Sequence, residues 1–400
     1  MKWSKLIAAS AVMAGIFAVL PARKAAAQGK AQLSDERFKN IKVLKGIPLD
    51  DFMGTMGVMT SSLAFDCSDC HTGAGTDTVD WAADTPRKVT ARRMVTMVGE
   101  INKNYFRGRQ VVTCYSCHHG RDKPATTNSI ENVYGPPPTD QDDAFGQAEG
   151  QPPAEQILDH YLKALGGEQK VAAIKSWVAK GESVGFGGLG NEAIVTLSAK
   201  FPDQRTLKID YANAPGRGDT TRAYDGKVGW LRTPMNVLGE FELSGGELDG
   251  TRLDALMSFP GQIKQVLKNL RVGLPATISD LPAPESQASK AQNVGIGQDK
   301  LVDVIQGDGD NGMLVTMYFD HESGLLLRTA RYAKSPIGRV LTQVDTTDYR
   351  DVNGVKFPFR ITFAWFNGRD AIRLNDIKTN VAIDPAVFGK PAPLKSSGAN

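Results

Sequence analysis

Cysteine is scarce in this chain: four residues among 400, all inside CSDCH (67–71) and CYSCHHG (114–120). So tight a distribution excludes a disulfide framework spread along the sequence. Acidic residues are missing from the first 27 positions, which carry Lys2, Lys5, Arg23 and Lys24. Outside that stretch the 43 remaining basic residues are matched by all 44 acidic ones, so the formal charge of +3 belongs to the leader and no nucleic-acid partner is implied. Long apolar runs are also absent after the leader, and no later segment is apolar enough to cross a membrane. The leader itself has a basic start, an apolar run from Leu6 to Leu20 and the small-residue site Ala25-Ala26-Ala27. This is the pattern of a cleaved signal peptide, and the run is shorter than the roughly 20 residues a spanning helix needs. No cysteine follows it, so no lipoprotein-type anchor is expected. The mature chain is expected in the periplasm, exported by its signal peptide, with membrane association left open.

Export normally accompanies disulfides, yet these cysteines lie in two short pairs, each followed by histidine. C-x-x-C-H is the signature of covalent c-type haem attachment. Two thiols separated by two residues reach the two vinyl groups on one porphyrin edge, and the next residue presents its imidazole to the iron. A tetrahedral zinc site also uses paired cysteines but needs no histidine behind each pair. A redox dithiol usually uses one pair in a different local setting. The reading is therefore two covalent haems c, with Cys67, Cys70, Cys114 and Cys117 as attachment points and His71 and His118 as proximal ligands. His119 is read as a polar group at the haem edge.

Five of the eleven methionines fall in two segments, one upstream of each motif. In GIPLDDFMGTMGVMTSSLAFDCSDCH, Asp50 or Asp51 is placed to cap a helix running to about Leu63, with Phe52, Met56, Met59 and Leu63 near one face. In DTPRKVTARRMVTMVGEINKNYF, Thr85 is the expected N-cap and Pro86 the first helical residue. There Met94, Met97, Val98 and Ile101 recur at helical spacing. Each haem thus has a preceding helix able to offer a thioether, although methionine is equally an adaptable core filler.

The run from about Phe38 to Lys123 resembles the cytochrome c subunit of photosynthetic reaction centres. The resemblance rests on NIKVLKGIPLDDFMGTMG, ARRMVTMVGEINKN and VVTCYSCHHG. It implies Met56 as the axial ligand of the first haem, with Met53 and Met59 as rivals, and Met94 for the second, with Met97 as rival. Members with four haems carry two further CxxCH units, which this sequence lacks. NYFRGRQVVTC has no histidine where tetrahaem members supply another axial ligand, and the family's lipid-anchoring cysteine is missing. A truncated diheme relative is therefore expected. His and Met ligation implies six-coordinate, low-spin iron with a potential raised relative to bis-His, which suits electron transfer rather than catalysis at an open iron. A redox donor and acceptor are the expected partners, such as a membrane-bound reaction centre or a respiratory complex.

After Lys123 the chain is rich in Pro, Gly, Asp and Gln, as a linker would be. A helix is expected over AEQILDHYLKAL, with Pro153 near its start and Gly166-Gly167 at its end. His160 is read on its solvated face. From Trp177 a period-two pattern takes over in EAIVTLSAKF, QRTLKIDYA, KVGWLRT, LVDVIQG, MLVTMYFD, GLLLRTARYA, VLTQVDTTDY, FPFRITFAWF and AIRLNDIKTN. These are strands of an antiparallel sheet with one apolar face. Leu253 to Leu270 is helical in pattern with a break near Pro260. This arrangement resembles carrier proteins of the outer-membrane lipoprotein-sorting kind, half-barrels closed by helices around an apolar cavity, which implies an apolar ligand. GDGDNG (307–312) lacks the length and terminal glutamate of an EF-hand loop and reads as a hairpin turn. GFGGLG (185–190) joins two strands, which argues against phosphate binding.

The expected fold class is α+β in two domains. A signal peptide (1–27) precedes a small helical c-type multihaem cytochrome domain (28–123). A Pro/Gly-rich linker (124–152), an antiparallel β half-barrel with packed helices (153–390) and a flexible tail (391–400) follow. The expected function is single-electron transfer by an exported diheme c-type cytochrome. Two other readings are a periplasmic lipid- or lipoprotein-binding module with redox-sensing haems, and a diheme peroxidase-like enzyme, which would need one iron with a free distal position.

Overall fold

The computed structural model describes residues 31–393 except 77, 125, 128–143, 185–192, 212–218, 234–237, 280–298 and 367. The leader over 1–27, GFGGLG, most of the linker and the end of the tail lie outside the described residues.

The N-terminal region is helical, with α1 (Ser34–Arg37), α2 (Leu49–Leu63), α3 (Cys67–Cys70), α4 (Pro86–Tyr105) and α5 (Cys114–His118). Helix α4 starts as its sequence dictates: Thr85 Oγ1 accepts from Lys88 N at 3.2 Å and Pro86 holds the first turn. Helix α2 begins two or three residues earlier than expected. Pro48 precedes it, and Asp50 and Asp51 lie inside its first turn, where their carboxylates are committed to another element.

The C-terminal region carries α6 (Ala154–Ala164), α7 (Glu168–Ala172), α8 (Gly245–Met257) and α9 (Ile263–Val266) around one 14-stranded antiparallel sheet. Its strands are β1 (Ser176–Val184), β2 (Ala193–Lys200), β3 (Gln204–Asp210), β4 (Asp219–Tyr224), β5 (Gly229–Arg232), β6 (Glu240–Glu242), β7 (Lys268–Val272), β8 (Ala276–Ile278), β9 (Lys300–Asp308), β10 (Leu314–Asp320), β11 (Leu326–Ser335), β12 (Gly338–Val352), β13 (Val355–Trp365) and β14 (Gly368–Thr379). The order is β6-β5-β4-β3-β2-β1-β14-β13-β12-β11-β10-β9-β7, with β8 also on β9. Two meanders therefore meet where β1 pairs with β14.

All nine alternating stretches lie in strands. The polar β4, DTTRAY, carries too weak an alternation to be read in advance. The helix expected from Leu253 to Leu270 starts earlier, at Gly245, and gives way after Pro260 to the short α9 and then to β7. Pairing with β9 overrides the expected helix over 268–270, where β7 begins.

The main core lies on one face of the sheet, with smaller buried clusters around Val302 and Leu314 on strands β8 to β11. Ile157, Leu158, Tyr161, Leu162 and Leu165 form the buried stripe of α6, and Tyr161 meets Phe319 edge-on at 5.3 Å. The sheet is strongly curled. Strands β3 and β11 are six places apart in its order, about 29 Å if flat, yet Arg205 of β3 and Thr329 of β11 line one cavity.

Helix α2 is clamped to this sheet. A Cβ on Gly54 would stand 3.0 Å from Val340 of β12, and one on Gly338 of β12 would stand 3.0 Å from Val58 of α2. The two missing side chains let helix and strand approach closely. Leu49 joins Leu238, Phe241, Leu243 and Leu248 in a buried cluster against which Phe38 and Met53 pack. Gln110 donates to the carbonyl of Ser335 at 2.8 Å, and Arg37 to that of Leu238 at 3.2 Å. The end of the linker is pinned as well: Ala148 N donates to Val272 O at 2.8 Å and Phe145 N to Gln306 Oε1 at 3.1 Å.

Candidate functional site

Both CxxCH motifs are built as the same local unit. Asp66 caps α3, accepting from Ser68 N at 2.7 Å and Asp69 N at 3.2 Å, while Asp69 reaches back to Asp66 N at 2.9 Å. Thr113 caps α5 in the same way, accepting from Ser116 N at 3.3 Å, with Ser116 Oγ accepting from Thr113 N at 3.0 Å. These reciprocal capping boxes nucleate one-turn helices too short to form alone. Each places its two cysteines three residues apart, hence on one side of the turn. All four thiols are free, Cys67 and Cys117 exposed and Cys70 and Cys114 half-buried. Burial pushes the thiols of Cys67, Cys70 and Cys114 above the usual range.

The histidines differ. Nδ1 of His118 lies 3.0 Å from the carbonyl oxygen of Arg121. A carbonyl only accepts, so Nδ1 carries the proton and Nε2 keeps its lone pair for a metal. His71 is half-buried beside Trp81, ring centroids 5.1 Å apart. Burial, with the Lys88 cation adding to it, lowers its pKa and favours the neutral imidazole. Its Nδ1 is buried without a hydrogen-bond partner among the described residues. His119 adopts a left-handed backbone with φ 50°, ends α5 and sets its ring against Tyr115 at 5.4 Å.

The flanking helices hold the motifs crosswise as well as in sequence. Thr85 at the start of α4 donates to the carbonyl of Cys70 at 2.9 Å, and Arg87 pairs with Asp69. Lys88 donates to the carbonyls of Trp81 at 3.0 Å and Ala83 at 2.6 Å, closing the loop behind His71. At the other end of α4, buried Asn102 accepts from Val111 N at 3.0 Å and Val112 N at 2.9 Å and donates to Val112 O at 2.7 Å. One amide side chain thus sets the segment that delivers Cys114. Helix α2 touches the second motif: Gly120 N donates to Ser62 O at 3.0 Å. Asn102 was not singled out in the sequence, since a lone asparagine in a helical pattern carries no signal of a clamp.

The methionines divide by helix face. Gly54 and Val58 turn α2 toward the sheet, so Phe52, Met56, Met59 and Leu63 fall on roughly the opposite side at 3.6 residues per turn. Met53 instead packs with Leu49 and Leu243 in the shared cluster. On α4, Met94 shares the face of buried Val98 and half-buried Ile101. Met97 is 40% exposed and borders a surface groove of about 420 Å³ with Val89, Arg92 and Arg93.

These residues fit a covalently attached porphyrin better than a metal held by protein donors alone. Among the described residues no three His, Cys, Asp or Glu side chains gather closely enough to hold a metal ion. That disfavours a tetrahedral site shared by both cysteine pairs. Of the other histidines, His160 is exposed on α6, and His321 contacts Asp303 at 2.9 Å on the surface. The described GDGDNG residues form the expected β9–β10 turn, with Asn311 left-handed. Among the described residues no helix is long and apolar enough to cross a membrane.

At the base of α2, Asp50 is buried and accepts from Ser244 N at 2.6 Å and Ser244 Oγ at 2.8 Å. Asp51 faces the backbone N–H of Gly246, and its pKa is pushed up to about 7 by burial and by neighbouring Asp50. Helices α2 and α8 are thereby tied through two carboxylates at the start of α8.

Comparison with known proteins supports the sequence reading of this region. The family model described as photosynthetic reaction centre cytochrome C subunit matches residues 9–159. The photosynthetic reaction center cytochrome c subunit of Roseobacter denitrificans is 33% identical over 106 residues, 24% of this chain and 28% of that protein. That of Thermochromatium tepidum is 32% identical over 104 residues, 25% and 24% of the two chains. The chain thus spans about a quarter of the length of the curated relatives it matches. Among solved structures, a LolA superfamily protein from Nitrosomonas europaea aligns with TM-score 0.37 at 13% identity, over 60% of this chain and 99% of that one. A DUF1329 family protein from Desulfovibrio piger aligns with TM-score 0.36 at 9% identity, over 60% and 98%. The N-terminal part of this chain, with both CxxCH units, is similar to the photosynthetic reaction centre cytochrome c subunits.

Proposed function

We propose that this chain is an exported diheme c-type cytochrome that passes single electrons, with residues 28–123 as the haem-bearing unit and 153–390 as a separate sheet unit. Cys67 and Cys70 would attach the first haem, with His71 and Met56 as axial ligands. Cys114 and Cys117 would attach the second, with His118 and Met94. When bound, each haem supplies a one-electron ferric/ferrous couple. The observation that carries this reading is the duplicated CxxCH, each copy on its own capped turn.

The chain's residues contribute three things. The capping boxes hold each thiol pair on one side of a turn, which fits attachment along one porphyrin edge. The Arg121 carbonyl fixes the His118 tautomer so that Nε2 is the ligating atom, and burial keeps His71 neutral for the same purpose. The methionines on the faces of α2 and α4 directed away from the sheet or toward Val98 offer thioethers, which favour the reduced state over bis-His ligation. With both distal positions so provided, electron transfer is favoured over peroxide chemistry. A redox donor and acceptor in the periplasm would be the partners, with a membrane-bound reaction centre or respiratory complex suggested by the relatives' names.

The mass of the exported protein tests attachment: it should exceed that of the cleaved polypeptide by two haems. A mass equal to the bare chain ends the proposal. In variants keeping only the first motif, Met56→Leu should abolish the near-infrared methionine-to-iron band and lower the potential, while Met94→Leu should leave both unchanged.

A further inference from the structure

Arg205 stands where the fold calls for an apolar residue. It shares the inward face of β3 with Leu207 and Ile209, opposite Ala199 on β2 and Tyr224 on β4. It is only 8% exposed. Arginine is almost never so buried without a partner.

Two other guanidinium groups lie nearby, and each has its own carboxylate. Arg331 pairs with Asp254 at 2.6 Å, lying across Gly250 of α8, where a Cβ would stand 2.5 Å from its Nε. Arg222 pairs with Glu247 at 2.8 Å. The Arg205 guanidinium makes no hydrogen bond or ion pair with any described residue. Asp254 acts on it through space, but that carboxylate is already engaged by Arg331. Half-buried Arg222 and buried Arg331 thus each hold a carboxylate, and buried Arg205 is the one of the three without a carboxylate of its own. Asp50, the next acid beyond Arg222, is held by Ser244.

Arg205 lines a cavity of about 150 Å³ inside the curled sheet, walled mainly by side chains such as Tyr161, Leu197, Val344 and Phe363. Tyr349, also on its wall, spends its hydroxyl on the Leu326 carbonyl at 2.7 Å. Apolar cavities of this size admit a benzene-sized body. We propose that this cavity binds a small amphiphilic carboxylate, its apolar body of about six or seven carbons filling the pocket and its carboxylate paired with the Arg205 fork. The anion would give this buried cation the partner without which its burial is costly, and the planar guanidinium matches a carboxylate in two parallel bonds. This assignment is independent of the haem reading.

Calorimetric titration of the exported full-length protein tests it, with hexanoate and benzoate against hexanol and benzyl alcohol. The carboxylates should bind at least about tenfold more tightly than the matching alcohols. Arg205→Leu should weaken carboxylate binding about 10- to 100-fold and spare the alcohols, while Arg205→Lys should keep part of the preference through a point charge without the fork. Val344→Phe, which fills the cavity, should abolish binding of both, and it serves as the test should Arg205→Leu fail to fold. Equal affinity for acid and alcohol in the unmodified protein, no detectable binding of either carboxylate, or binding that survives Val344→Phe would overturn the assignment.

Discussion

The two halves of this molecule are stabilised by different means. In the sheet region most buried apolar residues form one large cluster drawn from α6, α7, α8, α9 and strands of both meanders, with smaller clusters around Val302 and Leu314. In the helical region, Leu49, Val58 and Val98 are the buried apolar side chains among the described residues up to 124. Leu49 belongs to a cluster supplied mainly by the sheet region. Val89, Met97, Tyr105, Val111 and Tyr115 are meanwhile exposed on the helical side. A segment of this size with so little of its own core needs another source of apolar burial. Two covalently bound porphyrins and the docking of α2 on β12 would supply it. The difference teaches that secondary structure here is locally encoded in both halves, while tertiary stability is self-sufficient in only one.

Four experiments bear on that contrast. The strongest is removal of a haem anchor: Cys114→Ala with Cys117→Ala should lose one haem equivalent by mass. It should also make residues near α5 exchange amide protons rapidly while β9–β14 stay protected. Equal protection of both halves after the loss would break the comparison. Next, Phe319→Ala removes a fully buried ring that meets Tyr161. It should cost about 3–5 kcal/mol in denaturant unfolding of the sheet and leave haem attachment intact. A smaller effect is expected at the clasp. Ser244→Ala removes the hydroxyl donor to buried Asp50 and should cost about 1–2 kcal/mol, read as faster hydrogen exchange in α2 with little change in β13. The smallest effect concerns pH. Asp51 holds its proton up to about pH 7 in the folded chain, far above the unfolded carboxylate range. The folded state therefore binds more protons, and this group's contribution to stability is fully present at low pH and fades as pH rises from about 4 to about 7. Because the side chain is partly exposed, screening keeps the effect modest. Asp51→Asn should flatten the stability profile over that window, and an unchanged slope would remove Asp51 as its source.

Much of the architecture was legible from local pattern. Thr85-Pro86 marked the start of α4 because capping chemistry is a property of adjacent residues. The alternating runs marked β2, β3, β5 and β9 to β14 because one sheet face is buried throughout. The pattern misled where long-range pairing overrode it, as when β9 drew the expected helical end over 268–270 into a strand. It also misled at Asp50, whose carboxylate serves Ser244, almost two hundred residues away, instead of capping its own helix.

The two motifs, their cysteine and histidine spacing and the helical phase of the methionines were determined by the sequence alone, since each depends on residues a few positions apart. Only the tertiary structure decided that Met53 faces a shared cluster, that Asn102 clamps the approach to Cys114 and that Arg205 ends inside an apolar cavity. Those outcomes depend on curling a sheet until strands six places apart face each other, and no short-range pattern encodes which side chains meet across that gap.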